Sequence, residues 1–202
     1  MTLADISQET KRRVHLALPF VMFGDYLAEA LAAGLSLEVG LDHQALDLFT
    51  MADFKAAAAK LKKAGVKLTV HAPFCDLSPG AFDSLVQKAS VTRLKQALEV
   101  ACFFEPQVVV IHSGYHPGYH RERQAKWLEL ARSGLEEVVR LADARGLRLA
   151  LENVFEPDPA LLTAIVEYFA SPALGYCFDA GHAYAFARSS WQPWLEAFRG
   201  RL

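Results

Sequence analysis

Cysteine is scarce and unpatterned in this chain: three residues, Cys75, Cys102 and Cys177, with no CxxC spacing. An odd, scattered set excludes a disulfide framework and a structural zinc knuckle, and it fits reduced thiols in a cytoplasm. No apolar stretch has the length of a membrane span. The N-terminal MTLADISQETKRR carries acidic residues where a secretory signal would be apolar, so it reads as a polar lead-in to the first strand. Basic charge is not in excess either, with 21 Lys and Arg against 23 Asp and Glu and a formal net charge of -2. Proteins that grip a phosphate backbone usually show the opposite balance, so nucleic acid is not an expected partner. Low-complexity sequence is missing beyond the alanine run Ala56 to Ala59. Also absent is a GxGxxG fingerprint after the first apolar run, where the turn reads PFVMFGD from Pro19 to Asp25. That removes the usual mark of a dinucleotide-binding doubly wound sheet.

What remains is a globular composition, 52% hydrophobic and 22% charged over 202 residues, enough to bury a large core. No composition shift divides the chain, so residues 1–202 read as one domain. Short runs rich in Val, Leu and Ile alternate with helical patterns. Strands are predicted at Val14 to Phe20, Leu35 to Leu41, Val66 to His71, Val108 to His112, Leu147 to Asn153 and Leu174 to Asp179. Helices are predicted at Tyr26 to Ala33, Met51 to Ala64, Ser78 to about Phe104, Arg121 to Ala144, Ala160 to Ala170 and Trp191 to Phe198. In the third helix Leu85, Leu94, Leu98 and Ala101 form the expected inward stripe. Continuous rather than alternating apolar strands indicate a parallel sheet buried on both faces.

The fold class is therefore α/β, and the strand ends favour a (β/α)8-type barrel, which gathers the C-terminal ends of its strands around one mouth. Six βα units are present where such a barrel has eight. The expectation is an incomplete barrel, cut short at its C-terminal side or completed by a homo-oligomer or another partner, because open edges would expose hydrogen-bonding groups.

Four of the runs stop on residues able to bind a metal: His71, His112, Glu152 and Asp179, with His182 three residues further on. Mixed imidazole and carboxylate donors suit Zn²⁺, Mn²⁺, Co²⁺ or Fe²⁺, whereas oxygen-only sets suit Mg²⁺ or Ca²⁺. Glu152 and Asp179, on adjacent strands, can converge on one ion, with His71 and His112 approaching from the other side of the mouth. Glu38, at the end of strand two, is a candidate substrate contact. Several other residues read as bystanders: Cys75 at the mouth, His15 low in strand one, and the Tyr115-His116 and Tyr119-His120 pairs at an exposed loop tip. Arg121, Arg123 and Lys126 are diluted by Glu122 and Glu129 and read as a solvated helix face.

The motifs HAPF (His71 to Phe74), VIH (Val110 to His112), LEN (Leu151 to Asn153) and FDAGHA (Phe178 to Ala183) resemble the xylose isomerase-like TIM barrels. That superfamily includes sugar isomerases and epimerases and the endonuclease IV type of repair enzyme. The resemblance implies a divalent-metal-dependent sugar or sugar phosphate isomerase or epimerase that moves a proton through an enediolate, with Mn²⁺, Co²⁺, Mg²⁺ or Zn²⁺ as cofactor. Glu152 would be both metal ligand and acid/base catalyst, and Asp179 a second ligand. A further His and Glu from strands seven and eight would complete that ligand set. His71, His112, His182, Glu38 and Asn153 would hold the sugar. The alternative it implies is a zinc-dependent abasic-site endonuclease using His71, His112, Glu152, Asp179 and His182 as zinc ligands. A third possibility is a barrel that only binds, since fold does not dictate chemistry.

Overall fold

In the computed structural model, which describes residues 6–201, each predicted strand forms and all are parallel. They are β1 (His15–Pro19), β2 (Ser36–Gly40), β3 (Leu68–His71), β4 (Val109–His112), β5 (Leu149–Glu152) and β6 (Leu174–Cys177). Their spatial order is their chain order, β1 to β6. A doubly wound sheet would reverse direction partway, so this unbroken succession is the wall of a barrel.

The alternation of side chains across each strand divides the residues between two faces. Leu37, Val39, Val70, Val109, Ile111, Leu149 and Leu151 face the helices and are fully buried among them. The opposite, concave face carries Glu38, Thr69, His71, Val110, His112, Glu152 and Cys177. The outer face is covered by the helices and the inner face borders the cavities, so, against the expectation of unbroken apolar strands, β2, β3 and β6 alternate in burial, with Glu38, Thr69, His71 and Cys177 turned inward, while β4 and β5 stay apolar until His112 and Glu152. Among the described residues no strand joins β1 to β6, so the barrel is a six-stave arc. Leu16, in register with buried Leu37 on the outer face, stays 36% exposed. At the other edge the Tyr176 N–H donates to the Arg201 carbonyl at 2.8 Å.

The outer layer is α2 (Phe23–Ala32), α3 (His43–Leu48), α4 (Met51–Lys63), α5 (Ser84–Phe104), α6 (Pro117–His120), α7 (Gln124–Arg145), α8 (Ala160–Phe169), α9 (Ala180–Ala185) and α10 (Gln192–Ala197), with α1 (Gln8–Arg13) leading in. Local chemistry sets most boundaries. Thr50 and Asp53 form a reciprocal capping box at α4. Gly146 ends α7 with φ 65, a left-handed conformation that disfavours other side chains.

Three expectations are corrected. The long helix starts at Ser84, not Ser78, because the Asp83 carboxylate accepts the Leu85 and Val86 N–H groups and fixes the cap there. Residues 72–83 are instead a loop, and Leu85 is 75% exposed, so the buried stripe runs through Leu94, Leu98 and Ala101. The segment after β4 is only half an exposed tip: His116 and Tyr119 are exposed, whereas Tyr115 and His120 are buried against Trp127, with ring centroids 5.0 and 5.8 Å away. The short helices α3 and α9 were not foreseen; each is nucleated by an aspartate cap, Asp42 and Asp179.

Close packing holds the long loop over the mouth. A Cβ on Gly134 would lie 2.1 Å from the Pro79 carbonyl oxygen, so only glycine lets α7 approach this loop.

Candidate metal centre

His71, His112 and Glu152 are the last residues of β3, β4 and β5, and all three point into the concave face. Glu152 is the hub. Its Oε2 lies 3.2 Å from His71 Nε2 and 3.0 Å from His112 Nε2, while Oε1 lies 3.5 Å from His182 Nδ1. Asp179 sits two residues past β6 as the cap of α9: one carboxylate oxygen accepts the His182 N–H at 2.6 Å, and the other lies 3.8 Å from His182 Nδ1. Two overlapping triads result, His71-His112-Glu152 and Glu152-Asp179-His182, each with one donor atom per residue inside 4.8 Å.

The donors fit a small divalent cation. Around a tetrahedral ion with bonds of about 2.1 Å, ligand atoms lie about 3.4 Å apart. The 3.0 and 3.2 Å separations about Glu152 Oε2 need only a few tenths of an ångström of opening to match. Outer hydrogen bonds orient the imidazoles, as metal-binding histidines require. His71 Nδ1 lies 2.8 Å from the Ala72 carbonyl and His182 Nδ1 2.9 Å from the Asn153 carbonyl. A carbonyl only accepts, so Nδ1 carries the proton in both rings; in His71 this leaves Nε2 for the site, whereas the His182 contacts with Glu152 and Asp179 are made by Nδ1 itself.

Without an ion, protons do the pairing. Burial opposes the ionised Glu152 carboxylate, but hydrogen bonds from His112 and His71 outweigh it and hold its pKa at about 2. Burial also opposes the His71 imidazolium, yet Glu152 and the Ala72 carbonyl more than offset it and raise the pKa. His112 goes the other way, lowered by burial and by His71 despite Glu152. Of the two imidazoles, His71 is therefore the one that binds a proton more readily. Cys177 faces the same interior; burial and then Glu152 push its thiol up to about 12, so it stays protonated in the ion-free protein.

Not every sequence candidate faces this cluster. Asn153 is 1% exposed, and its amide is spent on the Asp179 backbone, donating to the carbonyl at 2.9 Å and accepting from the N–H at 2.8 Å. It ties the ends of β5 and β6 together and does not reach the cavity as a substrate contact. Glu38 lies mid-strand rather than at a strand end, accepts from Thr69 at 3.3 Å, and lines a separate cavity of about 310 Å³ beyond His71 and Phe74. His15 bonds Thr69 at 3.0 Å, a structural contact low in the barrel.

The main cavity, about 960 Å³, opens directly onto His71, His112, Glu152 and His182. Much of its wall comes from residues outside the candidate ligand and substrate set: Phe74 of the HAPF motif, Tyr115, which reads from sequence as a bystander, and Ser113, Phe155 and Phe186. Behind the wall the fully buried Glu156 accepts hydrogen bonds from Ser113 Oγ and from the Val154 N–H at 2.8 Å, clamping the loops after β4 and β5 together. Burial raises its pKa. The EPDP turn gave no sign of this, because burial depends on a serine 43 positions away.

Among the described residues no helix is long and apolar enough to cross a membrane. The sequence profile of the xylose isomerase-like TIM barrel family matches residues 27–200. An uncharacterized protein of Methanocaldococcus jannaschii is 36% identical over 124 residues, a match spanning 58% of this chain and 42% of that protein. A Thermus thermophilus protein, crystallised with a zinc chloride soak, superposes with a TM-score of 0.80 at 34% identity, covering 91% of this chain and 73% of that one. A D-tagatose 3-epimerase-like protein shares the fold at 24% identity and a TM-score of 0.73, covering 93% of this chain and 72% of its own. With its parallel strands in sequential order, its histidine and carboxylate strand ends and a profile match over most of its length, the chain belongs to the xylose isomerase-like TIM barrel family.

Proposed function

We propose that this chain carries the metal-binding and proton-transfer site of a sugar isomerase or epimerase. The observation that carries the reading is Glu152, a buried carboxylate at the floor of a large cavity, shared by two potential ligand triads. His71, His112, Glu152, Asp179 and His182 would hold a divalent ion. Bound there, it would supply Lewis acidity toward a substrate carbonyl and the neighbouring hydroxyl.

The chain's own groups account for the rest. Glu152 is ionised throughout the neutral range, the state a base needs. It would take the proton from the carbon next to the carbonyl; the C–H electron pair would move to form the carbon–carbon double bond of an enediolate, and the carbonyl oxygen would take the charge. Return of a proton to either carbon, or to the opposite face of the same carbon, distinguishes isomerisation from epimerisation. Asn153 and the Asp179 cap hold the His182 ring, and Glu152 holds the His112 ring, so both would stand at fixed positions beside the substrate. Phe74 packs on His71 and His112 at 5.1 and 4.7 Å and shields that side from water.

An abasic-site nuclease is less well supported. It must bind phosphates on both sides of its target, and neither cavity is lined by a single Lys or Arg.

The test is carbon-bound proton exchange. Protein loaded with Mn²⁺, Co²⁺ or Zn²⁺ is incubated in D₂O with free ketoses, and loss of the C3 proton signal is followed by NMR. Exchange that Glu152→Gln abolishes supports the reading. Equal exchange by Glu152→Gln would refute the base assignment, and metal-loaded protein that exchanges nothing while cutting abasic DNA would favour the nuclease.

A further inference from the structure

We propose that Glu156 is a positioning residue of this centre: through Ser113 it closes the gap between the ends of β4 and β5 and so sets the spacing of His112 and Glu152 for an ion. The inference rests on the metal reading above and adds to it a group that lies behind the cavity wall.

The backbone leaves this gap open. At the β2–β3, β3–β4 and β5–β6 junctions, the residue just after the earlier strand donates its N–H across to the later one. Leu41 donates to the His71 carbonyl at 2.9 Å, Ala72 to the Val110 carbonyl at 2.9 Å, and Asn153 to the Cys177 carbonyl at 3.4 Å. In each case the acceptor is the register partner of the last strand residue: Gly40 pairs with His71, His71 with Val110, and Glu152 with Cys177. His112 pairs with Glu152 in the same way, so the matching rung would run from the Ser113 N–H to the Glu152 carbonyl. That rung is not made. Among the described residues no backbone hydrogen bond joins the loop after β4 to the loop after β5.

A side chain bridges the gap instead. Ser113 Oγ donates to Glu156 Oε1, and Glu156 Oε2 accepts the Val154 N–H at 2.8 Å. Both ends of this bridge are anchored. Ser113 Oγ accepts the Tyr115 N–H at 3.0 Å, and Tyr115 packs on Trp127 and accepts from Gln124 at 3.0 Å, both residues of α7. Val154 follows Asn153, whose amide is tied to Asp179. Glu156 therefore links the two strand ends through contacts one residue beyond His112 and two beyond Glu152.

Stability alone does not account for such a group. Glu156 is 1% exposed, and none of the ion pairs formed among the described residues includes it. Burying a carboxyl group without a basic partner is costly, whereas a buried polar group with its hydrogen bonds satisfied is rigid. Rigidity is what an ion needs from its ligands. His112 Nε2 and Glu152 Oε2 stand 3.0 Å apart. Metal–ligand distances hold to within about 0.2 Å, so slack between β4 and β5 would be felt directly as lost affinity.

The test is Zn²⁺ affinity of the full chain by calorimetry, with urea unfolding of EDTA-treated protein as the measure of stability. Ser113→Ala and Glu156→Ala should each weaken Zn²⁺ binding about 10- to 100-fold. Leu61→Ala, fully buried on the remote helix α4, should lower stability yet bind Zn²⁺ within about twofold of wild type. Once His112 is gone its spacing no longer matters, so Glu156→Ala added to His112→Ala should cost less than about threefold more. If Glu156→Ala folds poorly, Ser113→Ala takes its place in that pair. Wild-type affinity in folded Ser113→Ala or Glu156→Ala overturns the proposal and leaves the metal reading standing. So does a full further loss on top of His112→Ala, or an equal loss in Leu61→Ala, since both mark a general loosening. Wild type that takes up no Zn²⁺ refutes the metal reading instead, and the ion-free protein then decides this one by NMR at fixed pH. The His112 ring resonances should move in Glu156→Asp, whose shorter side chain cannot span both contacts, and stay in place in Leu61→Ala. Resonances unmoved in both overturn the positioning role.

Discussion

The charge pairing around Glu152 predicts a pH-dependent stability that can be measured before any substrate is known. Replacing Glu152 by Gln keeps the shape and removes the charge. The carboxylate is lowered from an ordinary 4.5 to about 2. That displacement of roughly 2.5 units, at about 1.4 kcal/mol per unit, gives an upper limit near 3 kcal/mol for its contribution to the metal-free protein. Because the folded-state pKa is depressed, this stability is fully present above 4.5 and is lost as pH falls toward 2. His71 is shifted upward, so its share is fully present below its ordinary 6.5 and fades as pH rises through its higher folded value. The contribution is therefore greatest between about pH 4.5 and 6.5. Urea unfolding of EDTA-treated protein, wild type and Glu152→Gln, from pH 2.5 to 8 measures it. A gap of about 2–3 kcal/mol near pH 5.5, equivalent to roughly 4–12 °C in Tm for a chain of this size, should shrink steadily from pH 4.5 to 2.5 and narrow above pH 7. A gap that is constant with pH, or widest in acid, refutes the ion-pair account.

Other perturbations address separate parts of the structure. His112→Ala should weaken Zn²⁺ binding by about 100-fold or more in calorimetry, since it removes one nitrogen of the first triad. Zn²⁺ affinity should fall between pH 8 and 6, with about one proton released per ion, because the ion must displace the proton His71 holds; titration in buffers of different ionisation enthalpy counts it. Asn153→Ala should cost about 2 kcal/mol of stability in urea unfolding, for two buried hydrogen bonds, and weaken metal binding about tenfold by freeing Asp179. Gly134→Ala should destabilise by about 3 kcal/mol or more, since the new methyl meets a backbone carbonyl that cannot rotate away.

The residues at the centre were legible because each breaks a rule of its surroundings: His71, His112 and Glu152 end apolar runs on side chains that a buried sheet would otherwise reject. Strand order and parallelism followed from the same runs. Other features had no local signature. Ser78-Pro79 looks like a helix start as much as Asp83 does, but residues 78–80 are held as a loop by contacts that no local pattern shows: the Ser78 N–H donates to Ser90 Oγ, Ser78 Oγ donates to the Gly114 carbonyl, Gln87 Nε2 donates to the Pro79 carbonyl, and Gly134 of α7 packs against it. Tyr115 and His120 read as a polar loop because their burial depends on Trp127, which lies in the following helix. Asn153 was recognised as part of a motif, but whether it meets substrate or backbone is decided across the sheet by Asp179. Glu156, between a phenylalanine and a proline, is an ordinary turn residue until Ser113 is folded against it.

The shared position of Glu152 makes the centre unequal in its tolerance of loss. Deleting His182 or Asp179 leaves the His71-His112-Glu152 set whole, and deleting His71 or His112 leaves the other, whereas deleting Glu152 dismantles both. Paired substitutions should then be strongly non-additive: any second change made on top of Glu152→Gln should cost little more, while His112 and His182 lost together should cost more than their separate sums. The two oxygens of Glu152 divide the cluster between them, Oε2 toward His71 and His112 and Oε1 toward His182, so a rotation of this one carboxylate would disturb both groups at once.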